Sequence, residues 1–390
     1  MLGMALALLA WVGHAAILVY SLNWWYGNAV PHKWLTLIRY LHGALVVAFP
    51  PALVKTFGYD LSGMAESSWS GAQWFFAGYL PACWLASMIV LPAVTIQRLW
   101  HRPEALIASG SQVIDMAARL GYRPAGRVGH WHLAYLPGNQ AFQVEFTEKI
   151  LSLPNLPPAW DGLTLLQLSD FHWTGSPERK FFQEIMDECR RMEPDLVLLT
   201  GDLIDSSIHH RWIIPVLGRL KWTTAALAIM GNHESWYEPR LVRARLERLG
   251  FQMLGGRWLR LQVRGLPLIA IGHEGPWFRE VPDLSDCPES GFRLCLSHTP
   301  DNIKWARRNR IDLMLSGHNH GGQIRFPVFG SALVPSRYSR RYDAGIFDVP
   351  PTVLHVTRGL SGQHPIRYNC RPEVAKLVLV SRQDAAANGA

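Results

Sequence analysis

The sequence predicts a large α/β domain preceded by a membrane-crossing helical region, and three observations carry that expectation. Five apolar runs, LTLLQL, DLVLL, ALAIM, RLCL and DLML, each end in a polar cluster. Runs of that length and composition read as buried strands. From about residue 150 onward they alternate with stretches of helical character, such as 178–192 and 238–249, the pattern of an α/β fold. Before them, the first hundred residues hold three long apolar stretches, 1–27, 34–54 and 71–97.

Taken in order, the first stretch has no charged side chain, the second has only Arg39 near its start, and the third ends at Arg98. Each is long enough to cross a hydrocarbon core of about 30 Å. Trp24, Trp25, Tyr26, Trp34, Trp69, Trp74 and Trp100 fall near the span ends, where interfacial aromatics sit. The first stretch lacks a basic leading segment and a small-residue cleavage site, and further spans come after it, so three retained helices are expected rather than a signal peptide. Pro50–Pro51, Pro81 and Pro92 predict kinked or re-entrant geometry in the later spans.

Loop charge sets the expected orientation. Lys33 and Arg39 follow the first span, and Arg98, Arg102, Arg119, Arg123 and Arg127 follow the third. Lys55 between the second and third is offset by Asp60 and Glu66. The bias predicts a multi-pass protein of the inner (cytoplasmic) membrane, with the large domain in the cytoplasm and the N-terminus outside. A large domain exposed outside is the alternative. Residues 101–140 read as a juxtamembrane linker with a helical candidate at 103–120. The large domain is expected over 141–382, and 383–390 reads as a flexible tail.

The formal net charge is +8. Part of it is local, in Arg307, Arg308 and Arg310 and in Arg337, Arg340 and Arg341. Beside a membrane such clusters attract anionic head groups, about 1 kcal/mol per cation; a solvated basic surface weighs equally. The basic residues are dispersed and no nucleic-acid-binding module is present, so nucleic acid is not an expected partner. Five scattered cysteines without a CxxC pair give no disulfide framework and agree with a reducing compartment.

The chemistry lies just past the strands: SDFH (Asp170, His172), TGDLID (Asp202, Asp205), MGNHE (Asn232, His233), LSHTPD (His298) and SGHNHGGQ (His318, His320). Open α/β sheets place their sites beyond strand C-termini. Carboxylate oxygen with imidazole nitrogen suits divalent Mn, Fe, Zn or Co. These ligands exceed what one ion can use, and a carboxylate can bridge two, with Asp202 central in the set. Two ions about 3.5–4 Å apart form a clamp for displacement at phosphorus.

The ordered motifs DxH, GDxxD, GNHE, H and GHxH resemble those of the calcineurin-like metallophosphoesterases. LPPAWDGLTLLQLSDFH, PDLVLLTGDLID, SGHNHGGQIRFP and IRYNCRPEVAKLVL are similar to the YkuE/YaeI-type membrane-associated branch. The likeness covers roughly residues 140–382. It implies a four-layer α/β/β/α metallophosphoesterase sandwich and two divalent metal ions, Mn, Fe or Zn. It implies that Asp170, His172 and His320 hold one ion, that Asn232, His298 and His318 hold the other, and that Asp202 bridges them. His233 would be catalytic, contacting the scissile phosphate and protonating the leaving oxygen. Asn319 stands where the branch has Thr, and its side chain is expected to point away from the metals.

Each residue also has a duller reading. Asp202 after Gly201 and Asn232 after Gly231 could be turn residues, and Asn232 as a ligand leans on the resemblance. Asp205 fits better as a group orienting a histidine than as a ligand. His298 has a rival in His273, which also follows an apolar run. Gly321 and Gly322 could serve a tight turn or let backbone amides approach a phosphate. His209 and His210 could line a substrate rim, and Glu234 reads as structural. The expected activity is metal-dependent phosphohydrolysis at a membrane surface, on a phospholipid or lipid-linked pyrophosphate. Phosphodiesterase action on soluble esters such as cyclic nucleotides, and a non-catalytic membrane scaffold, are the alternatives.

Overall fold

Apolar periodicity becomes two separate units in the computed structural model, which describes residues 1–59, 61, 64, 68–278 and 280–382. Asp60, Glu66 and the expected tail 383–390 lie outside the described residues. One unit comprises Met1–His101 with Pro327–Arg341; the other comprises Arg102–Phe326 with the chain from Tyr342 onward.

The first unit is built on α1 (Leu2–Tyr26), α2 (His32–Phe57) and α3 (Gly71–Leu99), each long and apolar enough to cross a membrane. α1 and α2 run antiparallel: the Trp11 indole donates to Val46 O at 2.9 Å, and His42 meets Ser21 Oγ at 3.1 Å. α1 and α3 touch so closely at Gly13 that a Cβ there would sit 1.7 Å from Cys83 O. Ser70 opens α3 as a capping box with Gln73. Neither later span is interrupted at its prolines. α2 continues through Pro50 and Pro51. In α3 the strain is taken up by a π-turn at Ala86–Val90, just before Pro92.

The second unit packs two sheets face to face. Its strands are β1 (Leu106–Asp115), β2 (Gln143–Leu153), β3 (Leu163–Leu168), β4 (Leu196–Leu199), β5 (Ala225–Ala228), β6 (Phe251–Met253), β7 (Trp258–Val263), β8 (Leu266–His273), β9 (Phe292–Ser297), β10 (Leu313–Ser316), β11 (Gly345–Val349), β12 (Thr352–Val356) and β13 (Glu373–Ser381). The first sheet runs β1-β2-β13-β3-β4-β5-β6 and the second β11-β12-β10-β9-β8-β7. β3 through β6 are mutually parallel, as are β8, β9, β10 and β12.

Strands of four to six apolar residues bury both faces. Leu196 and Leu198 of β4 join Leu294, Leu296, Leu313 and Leu315 in the core between the sheets. Val197 and Leu199 face the other way, toward α4 (Arg179–Arg191). α4 forms because Phe181, Phe182, Ile185, Met186 and Cys189 fall on one face of RKFFQEIMDECRR, and that stripe is fully buried. α5 (Pro239–Arg248) buries Val242 and Leu246 on the same side. α6 (Ile303–Arg308) covers the outer face of the second sheet, where Trp305 packs edge-on against His273. The result is the α/β/β/α layering.

The expected linker at 101–140, with its helical candidate at 103–120, is corrected by the structure. Leu106–Asp115 is an edge strand paired antiparallel along β2, and only Met116–Leu120 is helical. Asp115 stops the strand by capping that turn, its Oδ1 accepting from Ala117 and Ala118 N–H. As an edge strand β1 buries little, so its composition carried no strand signal.

Candidate dinuclear metal centre

The five polar motifs emerge from the C-terminal ends of β3, β4 and β5 in one sheet and β9 and β10 in the other, so face-to-face packing brings them together. The chain must turn sharply there. Asp170, His172, Asp202, His318 and His320 all have positive φ, an unusual concentration for non-glycine residues. Two glycines permit the close approach: a Cβ on Gly231 would lie 2.1 Å from Asp202 Oδ1, and one on Gly317 would lie 2.4 Å from Asp170 Oδ2.

Asp202 is central. Its Oδ1 accepts the His233 N–H at 2.9 Å, which leaves Oδ2 facing His298 Nε2 at 3.2 Å and His172 Nε2 at 3.5 Å. On one side stand Asp170, His172 and His320, with His320 Nε2 3.7 Å from Asp170 Oδ1 and 3.1 Å from His172 Nε2. On the other stand His298 and His318 with Asp202, and Asn232 Oδ1 lies 3.1 Å from His298 Nε2.

The donor chemistry fits cations. His172 Nδ1 pairs with Asp205, His320 Nδ1 with Ser361 O and His298 Nδ1 with Thr200 O. Those acceptors can take the Nδ1–H and so turn each Nε2 inward. The His172 and His320 Nε2 atoms face each other at 3.1 Å, a spacing that suits two nitrogens sharing a cation. His318 Nε2 is buried with no hydrogen-bond partner. Burial, reinforced by neighbouring His298 and His172 respectively, keeps His318 and His320 well below the usual imidazole range and therefore neutral. Burial alone would do the same to His298, but Asp202 outweighs it and raises that ring to about 9. The field that holds a proton on His298 is the field that would hold a cation beside it.

His233 differs. Burial opposes its charge, but Asp205 and Asp202 overcome it and lift the ring to about 10. Its Nδ1 lies 2.5 Å from Asp205 Oδ1, which also takes His172 Nδ1 at 2.9 Å. Asp205 therefore sits behind two histidines at once. Glu234 receives four backbone N–H groups, from Gly231 (2.8 Å), Asp202 (2.9 Å), Leu203 (2.6 Å) and Ile204 (3.2 Å). Burial and the Asp202 charge still raise its pKa against those donors.

Other candidates go elsewhere. His273 is buried away from the cluster, its Nδ1 accepting from Gly275 N and from the Asn302 amide at 3.1 Å each. The structure thus brings His298, not His273, to Asp202. His209 is buried against Trp212 with Ser206, and His210 bonds Ser207 O; neither joins the cluster. The Asn319 amide points away to Tyr342 O at 2.7 Å. Gly321 and Gly322 have positive φ, and a Cβ on Gly321 would meet Cys370 Sγ at 2.7 Å, so that turn requires glycine.

Sequence reasoning missed three residues. Arg367, 1% exposed, donates to His320 O (3.0 Å), Arg358 O (2.9 Å) and Ser361 O, the carbonyl that orients His320. Its one signal is the IRYNCRPE stretch, which shares the family likeness but holds no ligand pattern. Trp277 packs at a tilt against His318, centroids 4.7 Å apart, and Trp236 does the same against His233 at 4.7 Å. Nothing in the sequence separates these two from the other tryptophans.

Residues 163–322, which span all five motifs, match the family Calcineurin-like phosphoesterase. The chain is 28% identical over 262 residues to the uncharacterized metallophosphoesterase YkuE of Bacillus subtilis, covering 65% of this chain and 90% of the relative. It is 29% identical over 221 residues to the phosphodiesterase YaeI of Escherichia coli, covering 55% and 82%. A transmembrane protein with metallophosphoesterase domain from Danio rerio is 28% identical over 255 residues, covering 59% of this chain and 56% of that protein.

Proposed function

Because the chain carries a calcineurin-like metallophosphoesterase domain and is a hydrolase of phosphoester bonds, we propose that it is a membrane-anchored dinuclear enzyme acting on a lipid or lipid-linked phosphate ester or pyrophosphate. The observation that carries the dinuclear reading is Asp202 Oδ2, which faces both histidine sets. In this reading Asp170, His172 and His320 would hold one ion, Asn232, His298 and His318 would hold the other, and Asp202 would be shared between them. When bound, two divalent ions of the Mn, Fe or Zn type supply Lewis-acid neutralisation of phosphoryl oxygens and an acidified water. His233, held by Asp205, is the proton donor to the leaving oxygen. Asp205 and Arg367 fix ring orientation from behind.

The membrane-surface substrate rests on the three apolar helices and on relatives named as transmembrane proteins. Loop charge favours a cytoplasmic catalytic domain. The Escherichia coli relative is named a phosphodiesterase, so a diester is the first ester to test. A soluble diester such as a cyclic nucleotide is the second reading that the name leaves open.

The test uses the full chain in mild detergent, stripped of metal and then given Mn. Chromogenic monoester and diester are offered to wild type and to Asp202→Asn. Metal-dependent turnover that the substitution removes supports the mechanism, and preference for lipid over soluble diesters supports the substrate class. Turnover that survives both chelation and Asp202→Asn would sink it.

A further inference from the structure

Between the two sheets runs a chain of buried polar side chains that no step of the proposed reaction uses. It starts at Lys149 on β2, which is only 8% exposed. The Lys149 ammonium donates to Glu373 Oε1 at 2.6 Å and stands 2.9 Å from His355 Nε2. His355, on β12 in the facing sheet, places Nδ1 2.6 Å from Gln167 Oε1. The Gln167 amide, on β3, donates to Thr200 Oγ1 at 3.2 Å and to Ser316 O at 3.0 Å. His355, Gln167, Thr200 and Ser316 are fully buried.

Donors and acceptors match along this chain in one way. Ser316 O is a carbonyl and can only accept, so the Gln167 NH2 must face it. Gln167 Oε1 then faces His355, and His355 Nδ1 must carry the ring proton. An ammonium can only donate, so Nε2 must accept from Lys149. Burial, reinforced by Lys149, keeps His355 well below the usual imidazole range, so the neutral ring has a single proton to place. Glu373 secures the ammonium. Burial opposes its charge, but Arg358 and Lys149 hold its carboxyl well below the usual carboxylate range.

The far end of the chain reaches the strand ends that carry the candidate ligands. Thr200 lies two residues before Asp202, Ser316 two before His318 and Gln167 three before Asp170. The Thr200 carbonyl also receives His298 Nδ1 at 2.7 Å. β3 and β4 belong to one sheet and β10 to the other, so the Gln167 amide ties the two sheets together at those ends. We propose that Lys149 is a positioning residue for the dinuclear centre: it selects the His355 tautomer, the tautomer orients the Gln167 amide, and the amide holds the turn bearing Asp202 against the turn bearing His318. The inference rests on the two-ion reading of the centre. Without Lys149 the ring proton moves to Nε2, drawn by the Glu373 charge. The bare Nδ1 then opposes Gln167 Oε1, the amide turns over, and its oxygen meets Ser316 O across the sheets.

The experiment compares the full chain in mild detergent, stripped of metal, as wild type, Lys149→Met, Gln167→Met and the double variant. Mn affinity is read from the EPR signal of free Mn during titration. The His355 tautomer is read by 15N NMR of histidine-labelled protein, its signal assigned by its loss in His355→Gln. Expected is a proton on Nδ1 in wild type and on Nε2 in Lys149→Met. Each single variant should weaken Mn binding by about 10–100-fold. The double variant should bind no more weakly than Gln167→Met alone, because both changes act through one amide. A wild-type ring protonated at Nε2 overturns the inference, as does a tautomer that Lys149→Met leaves in place. Unchanged Mn affinity in Gln167→Met overturns it too. Losses that add in the double variant would reduce Lys149 to a structural ion pair. If Lys149→Met does not fold, Lys149→Met with Glu373→Gln removes the pair without stranding a buried charge, and the same outcomes decide. A wild type that binds no Mn overturns this inference and the dinuclear reading together. One that binds Mn but hydrolyses no ester tells against the proposed function alone.

Discussion

His233 and Arg367 illustrate how single side chains divide the work of the centre. His233 Nδ1 lies against Asp205, which groups it with His172, but His233 is not part of the Asp170–His172–His320 or Asp202–His298–His318 sets. His233→Gln should therefore lower kcat by roughly 10²–10⁴ while the Mn content, measured by elemental analysis, stays at the wild-type level. Lost Mn would instead make His233 a ligand. Arg367 acts through two carbonyls, those of His320 and Ser361. Arg367→Met should weaken binding of one ion by about 10–100-fold, read as replacement of the spin-coupled Mn signal by that of an isolated ion. Arg367→Lys should restore part of it. An unchanged signal in Arg367→Met would reduce Arg367 to a packing role.

At the level of elements, the strand-end turns depend on one another through Glu234. Its carboxylate gathers amides from the turn after β4 and the turn after β5, so Asp202 and Asn232 share a single anchor. Glu234→Gln points an NH2 at backbone donors that need an acceptor. The expected cost is about 1–3 kcal/mol or more, read as a lower urea midpoint at unchanged slope, with metal affinity falling in parallel. A variant as stable as wild type would show that water or a shifted turn satisfies those amides. The strain at five positive-φ site residues is held in place by the same packing.

Over the whole molecule, buried neutral histidines set the acid limit. Burial lowers His273 from 6.5 to about 4, and burial with nearby Lys149 keeps His355 well below its ordinary value. Between pH 6.5 and about 4 the unfolded chain binds protons that the folded rings refuse. Stability must fall as pH drops through that window. His273 alone contributes at most about 3 kcal/mol of the fall. Urea titrations with metal chelated should show the loss in wild type and a shallower slope in His273→Gln. Identical slopes would place the pH dependence elsewhere.

The sequence by itself determined the core strands, the long apolar helices and the inventory of candidate ligands. Apolar runs of four to six residues that end in polar clusters read as strands buried on both faces, apolar stretches of more than 20 residues with at most one charge read as long helices, and the ordered DxH, GDxxD, GNHE, H and GHxH motifs supply the candidate donors. All of that is local information. What only the tertiary structure decided is non-local. β1 is a strand because β2 offers it an edge. His298 rather than His273 meets Asp202 because β9 ends beside β4 across the sandwich, while β8 turns its last side chain toward Trp305. Arg367 acquires a purpose only when the chain returns beneath His320, 47 residues later. Pro327–Arg341 leaves the phosphoesterase sequence to bond Asn23 across more than 300 residues, a pairing that no pattern in either segment announces.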